Sequence, residues 1–338
     1  MRKIFLILFI SSSSFVNSFS QDFTKDFEIS LPTFKVHNSL YNKISFLDSR
    51  IYKLQIGVIS IGPLRNRDAR LILKEPFTKQ LTNMLDALID STAKDGELLF
   101  QLKRFNYVEP RATRFCSFSA ELYSRQGNQY QRVSSIDTII MVSGYDITSP
   151  LIVRGSKIIT DLIANNLSKN PIDSTYYNIA QVEHIDSIDK RKIPLYNTAN
   201  YKDGLYRSYK SFMNQTPDEQ GMVNMKKDET ISSIKIIDST GNKVKIKSKD
   251  IYAVVSKGFP FIATEYGYYQ LQHMGDDFFF TGDVKVAASV GDVVTGQIVF
   301  GVIGALSNAS GNQTTFQMII DYKTGKFIHL RKIEPVTQ

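Results

Sequence analysis

The order of strand-like and helix-like segments limits this chain to the α+β class. Between residues 54 and 168 the sequence predicts a strand, a helix, three strands and a second helix. Because those three strands follow one another directly, they favour an antiparallel or mixed sheet with both helices on one side. From Ile231 onwards, turn residues recur at the spacing of an antiparallel meander, so the C-terminal part is predicted to be β-rich.

The best-defined elements lie in the first part. After Pro76, apolar side chains recur at the spacing of one helical face: Phe77, Leu81, Met84, Leu85 and Leu88. Ser149-Pro150 predicts the start of the second helix. Gly127-Asn128 separates two alternating segments and predicts a hairpin.

Changes in composition divide the chain into five segments. We expect an export signal at 1–20, an extended lead-in at 21–53 and an α+β domain at 54–168. A polar, charged linker with Pro171 and Pro194 follows at 169–200, and the β-rich domain covers 201–338.

The first twenty residues have the pattern of an export signal. Arg2 and Lys3 precede an unbroken apolar run from Ile4 to Ile10, and Ser18-Phe19-Ser20 supplies small residues before Gln21. The protein is therefore expected to be exported and to be periplasmic or envelope-associated.

Charge and cysteine content narrow the expected partners. The chain has 41 basic and 33 acidic side chains, and loss of Arg2 and Lys3 leaves 39 against 33, a net charge of +6. The charges are dispersed, so we expect no nucleic-acid partner. Cys116, the only cysteine, lies in the alternating run from Phe115 to Ala120 and is interpreted as a buried structural thiol; no disulfide-linked partner is expected. Gln21 stands where a lipid-anchored protein would need cysteine.

Residues 287–309 form a glycine-rich apolar segment with two interpretations. The candidates for membrane or partner contact are Gly291, Gly296, Gly301, Gly304 and Ala305. The small residues would permit close helix contact, but the uninterrupted apolar stretch from Ile298 to Leu306 is far short of the roughly 20 residues that cross a bilayer. The pattern favours a buried helix or hairpin covering the sheet, and leaves contact with a membrane or partner open.

The sequence contains only weak candidates for catalytic residues. The four histidines are far apart and lack ligand spacing, so neither a metal site nor a cofactor is predicted. Asp276, Asp277 and Asp283 are the strongest of these weak candidates, for the role of a general acid or base. Lys243, Lys245 and Lys247 alternate with apolar residues, a pattern more typical of a solvated edge strand than of a ligand site.

Two resemblances can be named. Ser117 to Arg125, before Gly127, and the amphipathic helix from Ser149 make residues 54–168 similar to auxiliary periplasmic components of lipid-trafficking ABC transporters. The part from Tyr201 to Gly325 resembles a type of exported bacterial envelope protein with no assigned function. The export signal, the absence of a catalytic constellation and the glycine-rich segment together favour a non-catalytic binding or accessory role in envelope assembly or transport, with an envelope protein or a lipid surface as partner. The alternative is a periplasmic hydrolase using the three aspartates.

Overall fold

The computed structural model describes residues 23–50, 53–62, 67–108, 114–142, 148–172, 174–285 and 313–333. Within these ranges the predicted α+β class is confirmed, with a mixed N-terminal sheet and antiparallel C-terminal sheets. The predicted signal at 1–20 and the glycine-rich segment at 287–309, with all its candidate contact residues, lie outside the described residues.

Seven strands form the N-terminal sheet. Their bounds are β1 Phe23–Phe27, β2 Lys43–Asp48, β3 Gly57–Ile61, β4 Arg67–Leu73, β5 Glu97–Val108, β6 Arg114–Gln126 and β7 Gln129–Val142. The order is β1-β4-β3-β5-β6-β7, and β2 also pairs with β5. β1 runs parallel to β4, and β2 and β3 run parallel to β5, whereas the other pairs are antiparallel. The sheet is therefore mixed, as predicted.

Two helices, α1 (Phe77–Leu88) and α2 (Thr148–Ala164), pack on one face of this sheet. All five apolar residues predicted on one face of α1 are buried. A Cβ on Gly155 of α2 would lie 1.8 Å from the Tyr107 hydroxyl oxygen, so this glycine permits the close approach of helix and sheet. The predicted hairpin joins β6 and β7, with Gly127 at a φ of +62°.

Two strands, β1 and β2, lie within the segment predicted to be an extended lead-in, residues 21–53. Both β1 and β2 belong to the sheet through parallel pairing with distant strands, and Phe27 is fully buried. β1 has only two apolar residues in five, so its own pattern cannot reveal a strand. The position of β1 in the sheet depends on its pairing with β4.

Residues 169–200 also contain regular structure. Helices α3 (Ile179–Glu183) and α4 (Ile185–Lys190) and a short 3-10 helix (Pro194–Tyr196) lie there. An apolar cluster joins this segment to the second face of the sheet: Leu99, Tyr123, Tyr130, Tyr177, Val182 and Ile185. The segment thus covers the sheet face opposite α1 and α2.

The C-terminal part contains one short α-helix, a 3-10 helix at Ser248–Asp250 and eleven strands in the described ranges. They are β8 Gly204–Tyr206, α5 Tyr209–Met213, β9 Met222–Met225, β10 Ile231–Ile237, β11 Lys243–Ile246, β12 Ala253–Ser256, β13 Phe259–Thr264, β14 Gly267–Gln270, β15 Gln272–Met274, β16 Asp277–Lys285, β17 Gln313–Ile320 and β18 Phe327–Lys332. The strands form three antiparallel sheets, with orders β11-β10-β9, β14-β13-β12-β8 and β15-β16-β17-β18.

These three sheets are layered around two apolar cores. Ala253 and Val255 of β12 face a core shared with Phe278, Phe280 and other residues of the β15–β18 sheet. Val254, between them, faces a second core shared with Ile234 of the three-stranded sheet. Since side chains alternate along a strand, the β8–β12–β13–β14 sheet is the middle layer and the three-stranded sheet is an outer layer.

Candidate functional site

Two charged regions stand out, and the first is buried between the N-terminal sheet, the linker helices and the C-terminal part. Its centre is Glu121 on β6, whose side chain is 1 % exposed. Neighbouring Ala120 and Leu122 belong to the apolar core under α1 and α2. Because strand side chains alternate, Glu121 points to the opposite face, where α3 and α4 lie. We call this region the charged junction.

Four side chains surround the Glu121 carboxylate. Oε1 lies 2.7 Å from Nζ of Lys323 and 3.1 Å from Nζ of Lys103. Oε2 lies 2.9 Å from Nε of Arg132 and accepts a hydrogen bond of 2.6 Å from the Tyr123 hydroxyl. Lys323 belongs to the turn between β17 and β18, so the carboxylate connects the N-terminal sheet with the C-terminal part.

Two aspartates of α4 complete the charged junction. Asp186 pairs with Lys103 and accepts a 2.5 Å hydrogen bond from the Tyr322 hydroxyl. Asp189 Oδ2 lies 2.7 Å from Nη2 of Arg132. Three carboxylates, counting Glu121, thus meet Lys103, Arg132 and Lys323, and Asp189 also pairs with Lys192 at 3.3 Å, so each carboxylate has at least one cation.

The electrostatics favour a structural role for the charged junction. Burial raises the pKa of Glu121, but Lys103, Lys323 and Arg132 outweigh burial and bring that pKa down to about 2. Burial also opposes the charged form of Lys103, yet Glu121 and Asp186 hold its pKa above the usual range. A group that stays ionised near neutral pH neither accepts nor donates a proton readily. The charged junction therefore holds three parts of the chain together.

The structure does not bring the three candidate aspartates into one site. Asp276 and Asp277 lie at the turn between β15 and β16, where Asp276 accepts a hydrogen bond from the Ser187 hydroxyl and Asp277 pairs with Lys190 at 2.6 Å. Asp283 is six residues further along β16, about 20 Å away at the rise of a strand. There it accepts a 2.6 Å hydrogen bond from the Thr315 hydroxyl. The contacts of Asp276 with Ser187 and of Asp277 with Lys190 both involve α4, so they connect residues of the predicted linker with the C-terminal part.

The second charged region is exposed, on the outer face of the three-stranded sheet. Lys235 of β10 lies directly opposite Lys245 of β11 on one side and Met222 of β9 on the other. Ile237 lies opposite Lys243 in the same way. Directly opposed residues share a face, so these five side chains form one surface, which we call the lysine face.

The lysine face is open to solvent and its charge is not balanced. All three lysines are exposed, and Ile237 is 63 % exposed. In the described part of the chain, no carboxylate forms an ion pair with Lys235, Lys243 or Lys245. A groove of about 380 Å³ runs beside them, lined by Glu219, Gln220, Gly221, Met222, Lys235 and Ile237. Glu219, the one acid in that lining, pairs with Arg207 at 2.5 Å.

Three further observations concern the predicted chemistry. Cys116 is fully buried, and burial raises its pKa, which agrees with a structural thiol. Among the described residues, no three His, Cys, Asp or Glu side chains are placed to hold a metal ion together. Within the same ranges, no helix combines the length and the apolar character needed to cross a membrane.

Comparisons with known proteins identify no family for this chain. No protein-family model matches the chain, and no curated protein matches it. The chain is similar to a crystal structure of a Xanthomonas campestris protein described under the family model DUF330, at 10 % identity and a TM-score of 0.28. The match covers 42 % of this chain and 91 % of that one. A similarity at this level carries no conclusion about function.

Proposed function

We propose that this protein is an exported component of a bacterial envelope that acts by binding rather than by catalysis. The lysine face is its contact surface for an envelope partner. The observation that carries the proposal is the exposed, unbalanced charge of Lys235, Lys243 and Lys245 beside two exposed apolar side chains.

The remainder of the fold supports this function as a scaffold. The charged junction ties the N-terminal sheet to the C-terminal layers, and the inner face of the three-stranded sheet packs on the middle layer through Ile234 and Ile246. The lysine face is therefore presented on a packed support.

The accessory role in envelope assembly or transport belongs to the same proposal. It draws on the predicted signal at residues 1–20 and on the resemblance of residues 54–168 to auxiliary components of lipid-trafficking transporters. The glycine-rich segment at 287–309 supplies a second candidate contact, through Gly291, Gly296, Gly301, Gly304 and Ala305.

Fractionation of the native host's envelope tests this function. The intact protein is compared with a variant carrying Lys235→Glu, Lys243→Glu and Lys245→Glu. A matched control carries Lys25→Glu, Lys169→Glu and Lys210→Glu, which change the net charge equally at exposed positions elsewhere. We expect the intact protein and the control to sediment with the envelope, and the lysine-face variant to become soluble.

The opposite result would remove the proposal. If all three proteins sediment equally, the lysine face is not the contact surface, and a deletion of residues 287–309 then shows whether that segment is. If none of them sediments, the envelope role itself is wrong.

A further inference from the structure

The lysine face contains a like-charge pair that the fold itself does not balance. Lys235 and Lys245 are direct neighbours across β10 and β11, and Lys243 lies on the same face two residues from Lys245. Like charges directly opposite each other in a sheet are destabilising. Since no described carboxylate pairs with these lysines, the face is complementary to an anionic ligand that lies across both strands.

The apolar side chains on this face indicate what kind of ligand it is. Met222 and Ile237 are exposed by 36 % and 63 %; Lys235 lies opposite Met222 and two residues from Ile237 on the central strand β10. The core of a protein interface is depleted in lysine, whereas here lysine occupies the centre of the face. A layer of anionic headgroups over an apolar interior fits better, because cations meet the headgroups and apolar side chains enter the layer beneath.

We infer that the lysine face binds the surface of a membrane rich in anionic phospholipid, with Ile237 and Met222 reaching into the interface. The inference rests on the proposed function and names the partner. The lysine row alone suggested a solvated edge, and β11 is indeed an edge strand. The pairing of Lys235 with Lys245, which only the structure shows, is the reason for assigning a ligand to it.

The expected strength follows from the number of cations. Each lysine near an anionic surface contributes about a fivefold gain in affinity at physiological salt. Three lysines together give roughly a 100-fold gain. The attraction is electrostatic over a distance of about 8 Å at that ionic strength, so raised salt weakens it.

Vesicle sedimentation of the purified exported chain tests the inference. The vesicles contain either equimolar phosphatidylglycerol and phosphatidylcholine or phosphatidylcholine alone. We expect binding to the anionic vesicles only, a loss of more than about 100-fold in the lysine-face variant because glutamate is also repelled by the anionic surface, and unchanged binding in the Lys25, Lys169 and Lys210 control. Ile237→Ser should weaken binding by about tenfold, because an apolar side chain no longer leaves water.

A variant lacking residues 287–309 separates the two candidate contacts. If it keeps the difference between intact and lysine-face proteins, the lysine face acts by itself. If that deletion alone abolishes vesicle binding while the triple substitution has no effect, the inference is overturned.

The vesicle and fractionation experiments together distinguish a failure of the lipid inference from a failure of the proposed function. Absence of vesicle binding, together with lysine-dependent sedimentation with the native envelope, identifies an envelope protein as partner; the lipid inference then fails while the proposed function stands. Loss of lysine dependence in the native envelope removes the proposed function as well.

Discussion

In the charged junction the lysines pair with carboxylates, whereas on the lysine face they lie beside one another. In the charged junction, Lys103 and Lys323 both contact Glu121, and every buried charge has an opposite partner. On the lysine face, Lys235 and Lys245 are each other's neighbours and remain exposed. The difference shows which charges belong to the fold and which are available to a partner.

Burial explains the contrast. A charge taken out of water costs several kcal/mol unless a partner restores the lost solvation, so the cations around Glu121 have to be paired. An exposed lysine keeps its water and tolerates a like-charged neighbour at a cost of only a few tenths of a kcal/mol. Four variants examine this contrast, from the largest expected effect to the smallest.

The largest effect is expected for Glu121→Ala. The variant leaves the partly buried Lys103, Lys323 and Arg132 without their shared carboxylate, so the free energy of unfolding should fall by about 3–5 kcal/mol. Urea denaturation measures the loss. Glu97→Gln is the control, since Glu97 pairs with Arg125 at the exposed end of the same two strands, and it should cost at most about 1 kcal/mol. Equal losses in both variants would contradict the role of the charged junction.

Acidification should weaken the same centre. The pKa of Glu121 is about 2 in the folded protein and near 4.3 in an unfolded chain, so its contribution is complete above the higher value and disappears as pH falls towards the lower one. The loss amounts to about 3 kcal/mol. We expect the stability difference between the natural protein and Glu121→Gln to shrink from about pH 5 down to pH 2. A difference that stays constant over this range would show that Glu121 is not stabilised by its cations.

Lys323→Met should have an intermediate effect. Glu121 keeps Lys103 and Arg132, and methionine retains most of the chain length, so the expected loss is about 2 kcal/mol. Lys326→Met in the same turn is the matched control, because Lys326 is exposed, and should change stability by less than about 0.5 kcal/mol. Thermal unfolding of the two variants measures the difference. Equal melting temperatures would show that the ion pair of Lys323 with Glu121 does not stabilise the fold.

The smallest effect is expected on the lysine face, with the opposite sign. Lys245→Glu places a carboxylate directly opposite Lys235 and should raise the free energy of unfolding by about 0.5 kcal/mol while weakening vesicle binding. Lys247→Glu, just beyond the end of β11, is the control and should leave stability unchanged. Destabilisation by Lys245→Glu would show that the like-charge pair is already balanced.

Elements with local signals were predictable from the sequence. The face of α1 depends on spacing within twelve residues, and the β6–β7 hairpin depends on Gly127-Asn128. The final turn, with Asp321 at its start and Gly325 at a φ of +72°, likewise depends on neighbouring residues. Each pattern lies within one element or turn, so no knowledge of distant strands was required.

Elements that depend on distant partners were not predictable. β1 and α4 are short, and their positions come from contacts with β4 and with the second face of the sheet. Glu121 is one polar position in an alternating strand, and nothing local distinguishes it from a solvated glutamate. The pairing of Lys235 with Lys245 likewise needs the register of β10 and β11, which the separate strand patterns do not contain.

The contact between Lys323 and Glu121 joins residues 202 positions apart. A ribosome makes Glu121 long before Lys323, and a chain that crosses a membrane N-terminus first delivers them in the same order. Until the last hairpin arrives, the Glu121 carboxylate has only Lys103 and Arg132 and lacks its third cation. A protein that ends before residue 323 lacks this ion pair, and we expect local opening around Glu121 to make it more sensitive to proteases than the full chain.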